Sequence, residues 1–260
     1  MILQDIIDII ESVAPLKWQE AWDNSGLQVG ERNAKVDAVL LTTDVTEAVV
    51  SEAIARKCEL ILSHHPLLYH GLKTISGTTP QERCVIEALR NNIAIYSAHT
   101  SMDNLPQGVS GRMAEKIGIR DYRVLVEGSA CQHKHEYGLG VIGNLETPIE
   151  FDELLGRIKR AFGAPILRYI PAPKERVQKI AMCGGAGSEF MEDAIRQGAD
   201  VYLSADCKYH EMQTAVGRIG LVDMDHWYSE HFTRDVFAEV LQGKVKTYIS
   251  QTDASPVHYK

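Results

Sequence analysis

The sequence predicts an α/β protein made of two similar halves, and three observations support this fold class. Short apolar runs alternate with amphipathic segments, which is the order of strands and helices in βαβ units. The order occurs twice, once before residue 127 and once after residue 176. The two runs also match at a constant offset of 141, with Val177 corresponding to Val36 and Ser204 to Ser63. We interpret this match as an internal duplication that relates the halves by a pseudo-twofold axis.

The first half begins with an amphipathic helix within residues 1–15, followed by a loop to about residue 31. Apolar runs then predict buried parallel strands at 36–44, 58–66 and 93–100. The helices between them are predicted at 45–57 and 79–92. Thr46 and Thr79 are suitable N-caps, and Pro80 suits a first helical turn.

The second half begins with a strand, a helix and a proline-containing connection between about Glu127 and Arg176. Strands are then predicted at 177–187, 199–206 and 221–227, with helices at 188–198, 210–220 and 229–243. We expect residues 1–126 with 226–260 to form one half and 127–225 the other, so that the halves are interlinked. The sheets should be mainly parallel or mixed and flanked by helices.

Composition narrows the class of protein. The 260 residues are 45% hydrophobic and 24% charged, as in an ordinary globular protein, and the formal net charge is −8. That negative charge argues against binding to membrane surfaces, and it also disfavours a nucleic-acid partner. The five cysteines are scattered without CxxC pairs. This usage suits reduced thiols, and we expect a cytoplasmic protein.

Candidate metal ligands follow the predicted strands. His64 and His65 end an apolar strand just before Pro66, and working residues in parallel sheets lie at the carboxyl ends of strands. Two later segments, "HTSMD" (99–103) and "HWYSE" (226–230), both place a carboxylate four residues after a histidine. The predicted ligands are His64, His65, Asp103, His226 and Glu230.

These five side chains offer nitrogen and oxygen donors without a thiolate. Such a set suits zinc, iron, manganese, nickel or cobalt rather than a structural zinc site of the cysteine type. Five ligands exceed the needs of one tetrahedral catalytic zinc, so two ions bridged by a carboxylate are the better match. The alternative is structural: a strand histidine is often a hydrogen-bonded core residue, and acidic residues are common at helix N-termini.

A second tier of polar residues accompanies these ligands. His99, Asp206, Lys208 and His210 could orient ligands, bind substrate or transfer protons, and they could equally be solvated loop residues. The glycine turn "CGGAG" (183–187) could hold a phosphate through its backbone amides, although it lacks a P-loop lysine.

Six motifs follow one another along nearly the whole chain: "WDNSGLQVG", "LSHHPLLYH", "SAHTSMDN", "CGGAG", "SADCKYHE" and "DMDHWYSE". In these motifs and their order, the chain resembles the GTP cyclohydrolase 1 type 2 homologue family, the Nif-three-like dinuclear metal-centre proteins. The resemblance implies that the five predicted ligands hold a pair of metal ions in a cleft between the halves, and that the protein forms a homohexameric ring. The short middle segment matches the compact form of the family, without an inserted middle domain. Two motifs depart from the family's usual pattern: Asp225 stands where a glycine usually precedes the histidine, and "SAD" replaces Thr-Gly-Asp or Thr-Gly-Glu.

Two functions of different classes are consistent with these residues. The first is a metal-dependent hydrolase acting on a nucleotide-like or phosphoester small-molecule substrate, with His99 or His210 moving protons. The second is a non-catalytic metal-binding ring that serves as a metal carrier or interaction scaffold.

Overall fold

The computed structural model describes residues 1–128 and 136–260. This part of the chain divides into two compact units. The first unit comprises Met1–Met102 and His231–Ala254, and the second comprises Asp103–Glu230 and Ser255–Lys260. Each unit contains one sheet flanked by helices, which confirms the predicted α/β class with two halves.

The first unit is built on a five-stranded sheet. Its strands are β1 (Gly26–Val29), β2 (Ala38–Thr42), β3 (Leu60–Ser63), β4 (Ala94–Ser97) and β11 (Lys246–Ile249). Its helices are α1 (Leu3–Val13), α2 (Glu47–Arg56), α3 (Pro80–Arg90) and α10 (Thr233–Val240), and α4 (Thr100–Asp103) crosses into the second unit. The strand order is β1-β4-β3-β2-β11, in which β1 is antiparallel and the other four strands are parallel.

Two helices of the first unit, α2 and α3, begin at the predicted caps. The Thr46 side chain accepts a hydrogen bond from the backbone N–H of Val49 at 3.3 Å, which satisfies a donor that the helix itself leaves unpaired. Thr79 caps α3 in the same way, and Pro80 is its first residue. The apolar faces of α2 and α3 then pack on the sheet in one buried cluster. Burial of each large aliphatic side chain in such a core is worth about 1.5–3 kcal/mol.

The second unit is built on a six-stranded sheet. Its strands are β5 (Tyr122–Glu127), β6 (Gly138–Glu150), β7 (Arg168–Ile170), β8 (Arg176–Met182), β9 (Val201–Ser204) and β10 (Gly220–Asp223). Its helices are α5 (Val109–Lys116), α6 (Phe151–Phe162), α7 (Met191–Arg196), α8 (Tyr209–Ala215) and α9 (His226–Glu230). The strand order is β5-β6-β8-β9-β10-β7, in which β8, β9 and β10 are parallel and the remaining pairs are antiparallel.

The two units share one chain pattern. Each contains three parallel strands joined by two helices, as β2-α2-β3-α3-β4 and as β8-α7-β9-α8-β10. Strand β9 begins and ends at an offset of 141 from β3, which is the spacing found in the sequence. A short helix follows the third strand in each case, and these two helices, α4 and α9, contain Asp103 and Glu230.

Several elements differ from the sequence predictions. Strand β1 lies in the predicted N-terminal loop, and β7 precedes the proline-containing connection; both are short antiparallel edge strands with weak periodicity. The predicted helix at 229–243 is two helices, α9 and α10. The boundaries predicted at 126 and 225 also differ from those of the structure. Because β5 pairs with β6, the chain from Asp103 onward belongs to the second unit, and the hydrogen bond from Gly185 to Ser229 attaches α9 to it as well.

Four cysteines of the described residues, Cys58, Cys84, Cys183 and Cys207, are buried free thiols. The fifth, Cys131, lies outside the described residues. In residues 1–128 and 136–260, none of the helices has both the length and the apolar character needed to cross a bilayer.

Candidate metal centre

Three histidines of the first unit meet at one edge of its sheet. His64 and His65 directly follow β3, and His99 lies just after β4. Because these strands are parallel and in register from Leu60↔Ala94 to Ser63↔Ser97, their carboxyl ends lie side by side. One nitrogen from each ring lies within 4.8 Å of the others, a spacing that could hold a metal ion. The prediction that His64 and His65 end a strand together is therefore confirmed.

The His64 and His65 rings are each held through Nδ1. The His64 Nδ1 atom lies 3.1 Å from the carbonyl oxygen of Ala98, and the His65 Nδ1 atom lies 2.9 Å from Oδ1 of Asp44. With a proton on each Nδ1, these nitrogens donate to the two oxygens and Nε2 becomes the atom that can bind a metal. His64 is fully buried and His65 half-buried, so the two rings have little freedom to turn.

His99 is held in the same way by a buried carboxylate. Its Nδ1 atom lies 2.8 Å from Oδ1 of Asp23, while Asp23 Oδ2 accepts hydrogen bonds from the hydroxyls of Ser25 and Thr100 at 2.7 and 2.6 Å. Burial opposes ionisation of Asp23, but the hydrogen bond and positive charge of His99 and the two hydroxyls outweigh it and hold the pKa of Asp23 well below its usual range. Asp23 is therefore a permanent anion that fixes the orientation of His99.

In the second unit, one histidine lies between two carboxylates. The His226 Nδ1 atom lies 2.7 Å from Oδ2 of Asp206, and its Nε2 atom lies 2.9 Å from Oε2 of Glu230. The Glu230 side chain is only 4% exposed, whereas that of His226 is 36% exposed. His226 and Glu230 begin and end the five-residue helix α9, so one turn of helix brings them together.

Two negative charges act on His226. Burial lowers the pKa of His226, but the charge of Glu230 and the hydrogen bonds to Asp206 and Glu230 raise it more, to about 11. The hydrogen bond from His226 in turn lowers the pKa of Asp206. His226 is therefore an imidazolium between these two carboxylates in the metal-free protein.

Left-handed backbone conformations occur on both sides of this group. Among the described residues, four non-glycine residues have positive φ, and two of them are Asp206 (54°) and Asp225 (74°), which follow β9 and β10. Such conformations are rare outside glycine, and they are concentrated at functional sites. Asp206 places its carboxylate on His226, and Asp225 directly precedes His226.

The glycine turn at 183–187 packs beneath these ligands. Gly185 has φ of 61°, and a Cβ atom there would lie 2.2 Å from Oε1 of Glu230 and 3.3 Å from Cε1 of His226. Three amides of the turn donate to serine hydroxyls, at 3.3, 2.9 and 3.1 Å: Gly184 to Ser110, Gly185 to Ser229 and Gly187 to Ser204. These three amides are therefore engaged by serines, and the missing side chain of Gly185 leaves room for the carboxylate of Glu230.

Asp103 lies near Glu230 within the second unit. It ends α4 and is half-buried. The buried thiol of Cys183 responds to both acids: burial raises its pKa most, and the negative charges of Asp103 and Glu230 raise it further. The three ligands predicted in the second unit, Asp103, His226 and Glu230, therefore surround the same glycine turn.

His210, which the sequence suggested for proton transfer, has a different environment from His99. It is exposed at the start of α8, with its Nδ1 atom 3.4 Å from the side-chain oxygen of Gln213 and its ring beside Tyr209. Both neighbours belong to the same helix, so they hold the ring only locally. Lys208 is exposed as well, at the N-cap of α8.

Sequence reasoning missed two of the carboxylates that hold the histidines. Asp44 follows β2, so the rule that selected His64 at the end of β3 could have selected it too. Asp23 lies in a loop 76 residues before His99, and no periodicity predicts that contact. Only its place in the "WDNSGLQVG" motif marked it.

The comparisons with known proteins identify the family. The chain matches the Duf34/NIF3 (NGG1p interacting factor 3) family over residues 1–256. The chain belongs to this family. Relatives named GTP cyclohydrolase 1 type 2 homolog include one from Clostridium acetobutylicum, 31% identical over 99% of this chain and 98% of the relative, and one from Clostridium perfringens, 36% identical over 88% and 87%. The resemblance inferred from the six motifs is therefore confirmed.

Solved structures confirm the fold. A Bacillus cereus protein related to NIF3 superposes with a TM-score of 0.90 at 23% identity, over 100% of this chain and 99% of that one. Reduced HcgD from Methanocaldococcus jannaschii superposes with a TM-score of 0.81 at 26% identity, over 96% and 98%. The α/β architecture is thus that of known solved structures.

Proposed function

We propose that this Duf34/NIF3 protein is a dinuclear metal-dependent hydrolase acting on a nucleotide-like or phosphoester substrate. Its metal ligands in this proposal are His64, His65, Asp103, His226 and Glu230. One observation carries it: the Nδ1 atom of each of the three ligand histidines lies within hydrogen-bond distance of an oxygen, which leaves Nε2 as the nitrogen that can bind a metal, and at His226 this nitrogen faces Glu230. Core histidines need no such uniform orientation.

The donor set fits divalent metal ions. It contains imidazole nitrogens and carboxylate oxygens without a thiolate, which suits zinc, iron, manganese, nickel or cobalt. The acids also fit in charge, because Asp206 and Glu230 already enclose a cationic imidazolium. When bound, two ions would supply an acidified water molecule and polarise the bond that is cleaved.

His99 is the residue we assign to proton transfer. Asp23 holds its Nδ1 atom at 2.8 Å, so its Nε2 atom can take a proton from the attacking water and return it to the leaving group. Asp23 remains ionised throughout, and it stabilises the imidazolium that forms. His210 has no comparable carboxylate among its described contacts, at Gln213 and Tyr209, so we give it the lesser role.

Two exposed aromatic rings favour a substrate with a planar ring. Trp22 and Tyr69, 57% and 43% exposed, contact each other edge-on at 6.2 Å, and Trp22 lies 6.0 Å from His99. Rings of this kind can stack on a nucleobase, at about 1–3 kcal/mol per base. The names of the relatives agree with a purine nucleotide, because the reaction of a GTP cyclohydrolase opens a purine ring.

Elemental analysis of protein purified without chelator tests the metal part of the proposal. We expect about two divalent ions per chain, and a loss of metal in the His64→Ala and Glu230→Ala variants. His70→Ala is the matched control, because His70 lies exposed in the same loop and should retain both ions. Unchanged metal content in both ligand variants would overturn the proposal.

Turnover tests the hydrolase part. The metal-loaded protein should hydrolyse at least one member of a panel of GTP, nucleoside diphosphates and p-nitrophenyl phosphate. His99→Ala should lower kcat while the metal content stays at the parent level. Full metal occupancy with no turnover of any substrate would instead favour a metal carrier or scaffold. Loss of metal in His99→Ala would make this residue a ligand rather than a base.

We also propose a homohexameric ring, on the family resemblance alone. Light scattering of the purified protein should give about six times the mass of one 28.9 kDa chain. A monomeric or dimeric mass would exclude the ring.

A further inference from the structure

The chain terminus contacts the turn that carries His226. Tyr259, the penultimate residue, donates its hydroxyl hydrogen to Oδ2 of Asp225 at 2.5 Å. Residues Ser255–Lys260 belong to the second unit, as Asp225 does. Tyr259 is 41% exposed, so its ring contributes little to a core, and the hydrogen bond is its distinctive contact.

Asp225 has an unusual backbone conformation for a residue with a side chain. Its φ of 74° lies in the left-handed region, where the Cβ atom of an L-residue is crowded by the backbone. Aspartate tolerates this region when its carboxylate is fixed by local hydrogen bonds. Here Oδ1 accepts from the backbone N–H of Trp227 at 3.1 Å, and Oδ2 accepts from Tyr259.

The direction of the chain at Asp225 decides where His226 lies. The Asp225 backbone N–H donates to Oδ1 of Asp223 at 3.1 Å, and His226 begins α9 immediately afterwards. If Asp225 moved to a right-handed conformation, the following peptide would turn and the His226 ring would leave Asp206 and Glu230. A group that fixes the Asp225 carboxylate therefore fixes the imidazole.

We propose that Tyr259 is a positioning residue for the metal site: its hydroxyl holds the Asp225 carboxylate, and Asp225 then presents His226 to the metal. This inference rests on the proposed metal-binding function. Tyr259 does not touch the metal in this account, and its effect passes entirely through Asp225.

A double-mutant cycle on metal affinity tests this path. Tyr259→Phe should weaken metal affinity about tenfold, the value of one hydrogen bond to a charged group. Asp225→Gly should weaken metal affinity at least as much, because it removes the carboxylate through which Tyr259 acts. In the Asp225→Gly background, Tyr259→Phe should then have no further effect. Affinity is measured by competition with a chromophoric chelator.

Two controls keep the result specific. Tyr209→Phe alters another exposed tyrosine of the second unit and should leave metal affinity unchanged. Removal of residues 256–260 should weaken affinity by the same factor as Tyr259→Phe. In metal-free protein, Tyr259→Phe should also speed hydrogen exchange of the Trp227 amide, which donates a hydrogen bond to Asp225.

The outcomes separate this inference from the proposed function. Parent affinity in Tyr259→Phe, or equal losses from Tyr259→Phe in both backgrounds, would overturn the positioning role while leaving the metal site intact. A parent protein that binds no metal would overturn the proposed function and the positioning role together.

Discussion

The two units hold their candidate ligands by different means. In the first unit, three imidazoles converge at the ends of β3 and β4, and a buried parallel sheet fixes their positions. In the second unit, a single imidazole lies between two carboxylates at the start of a short helix, next to residues with positive φ. The first arrangement is rigid because the sheet is rigid. The second depends on a few side-chain contacts, so a substitution that forces those side chains to move should disturb it more.

The largest effect should come from filling the space beneath Glu230. Gly185→Ala would place a Cβ atom 2.2 Å from Oε1 of Glu230, in a left-handed position. We expect metal content to fall by about one ion per chain, because the carboxylate must move. Gly198→Ala is the matched control: its φ is 74°, but nothing lies within 4 Å of an added Cβ. Elemental analysis compares the two variants, and equal metal content in both would contradict the role given to Gly185.

The next largest loss of metal binding should come from replacing the carboxylates that hold the histidines. One such carboxylate from each unit allows the two units to be compared directly. Asp44→Asn and Asp206→Asn should each weaken metal affinity about 10–100-fold, the usual cost of removing an acid that supports a histidine ligand. The loss should be smaller for Asp206→Asn. Removing the Asp206 charge also makes His226 release its proton more easily, and this proton competes with the metal.

Chelator competition measures both affinities. Asp37→Asn serves as control, since Asp37 is exposed and pairs with Lys35 on the surface. A greater loss in Asp206→Asn than in Asp44→Asn would reverse this part of the comparison.

The pH dependence of metal binding should distinguish the units as well. The pKa of His226 is raised to about 11 in the metal-free protein, so below that pH a metal ion must displace its proton. Affinity at the second-unit ligands should therefore fall about tenfold for each pH unit lost between pH 9 and 6. Isothermal titration in buffers of different ionisation enthalpy counts the released proton. A parent protein that releases no proton at pH 8 would contradict the imidazolium between Asp206 and Glu230.

The smallest effect serves as a reference for the others, because the substitution changes stability without altering a proposed metal ligand. Glu52 accepts hydrogen bonds from Ser250, Gln251 and Thr252 in the first unit, and these outweigh its burial and lower its pKa from 4.5 to about 2. Because the pKa of Glu52 is lower in the folded protein than in the unfolded chain, its ionised form stabilises the fold at pH values above 4.5. This contribution is lost as the pH falls through about 2.

Glu52→Gln should therefore lower the free energy of unfolding by about 1–2 kcal/mol at pH 7, with full metal content. The difference from the parent should shrink between pH 5 and pH 2 in denaturant titrations. Loss of metal in this variant would mean that metal content reports general stability rather than the ligands.

Much of the fold was determined by local sequence patterns. Apolar runs specified the three parallel strands of each repeat, although the parallel strand β11 was not predicted. Thr46 and Thr79 specified two helix starts, and the offset of 141 predicted the repeated chain order. These signals are local because strand burial and helix capping depend on neighbouring residues. The edge strands β1 and β7 escaped prediction, since their few residues form strands only by pairing with β4 and β10.

The sequence likewise predicted the residue types of the candidate site, from "HHP" and from the two histidine-carboxylate spacings. The groups that orient them were decided by tertiary structure alone. Asp23 reaches His99 across 76 positions, Tyr259 reaches Asp225 across 34, and Gly185 makes room for Glu230. Hydrogen bonds of this kind join residues that are distant along the chain, and no periodicity or propensity encodes such distances. The sequence by itself therefore determined which donors this protein offers, and the folded chain decided how each one is aimed.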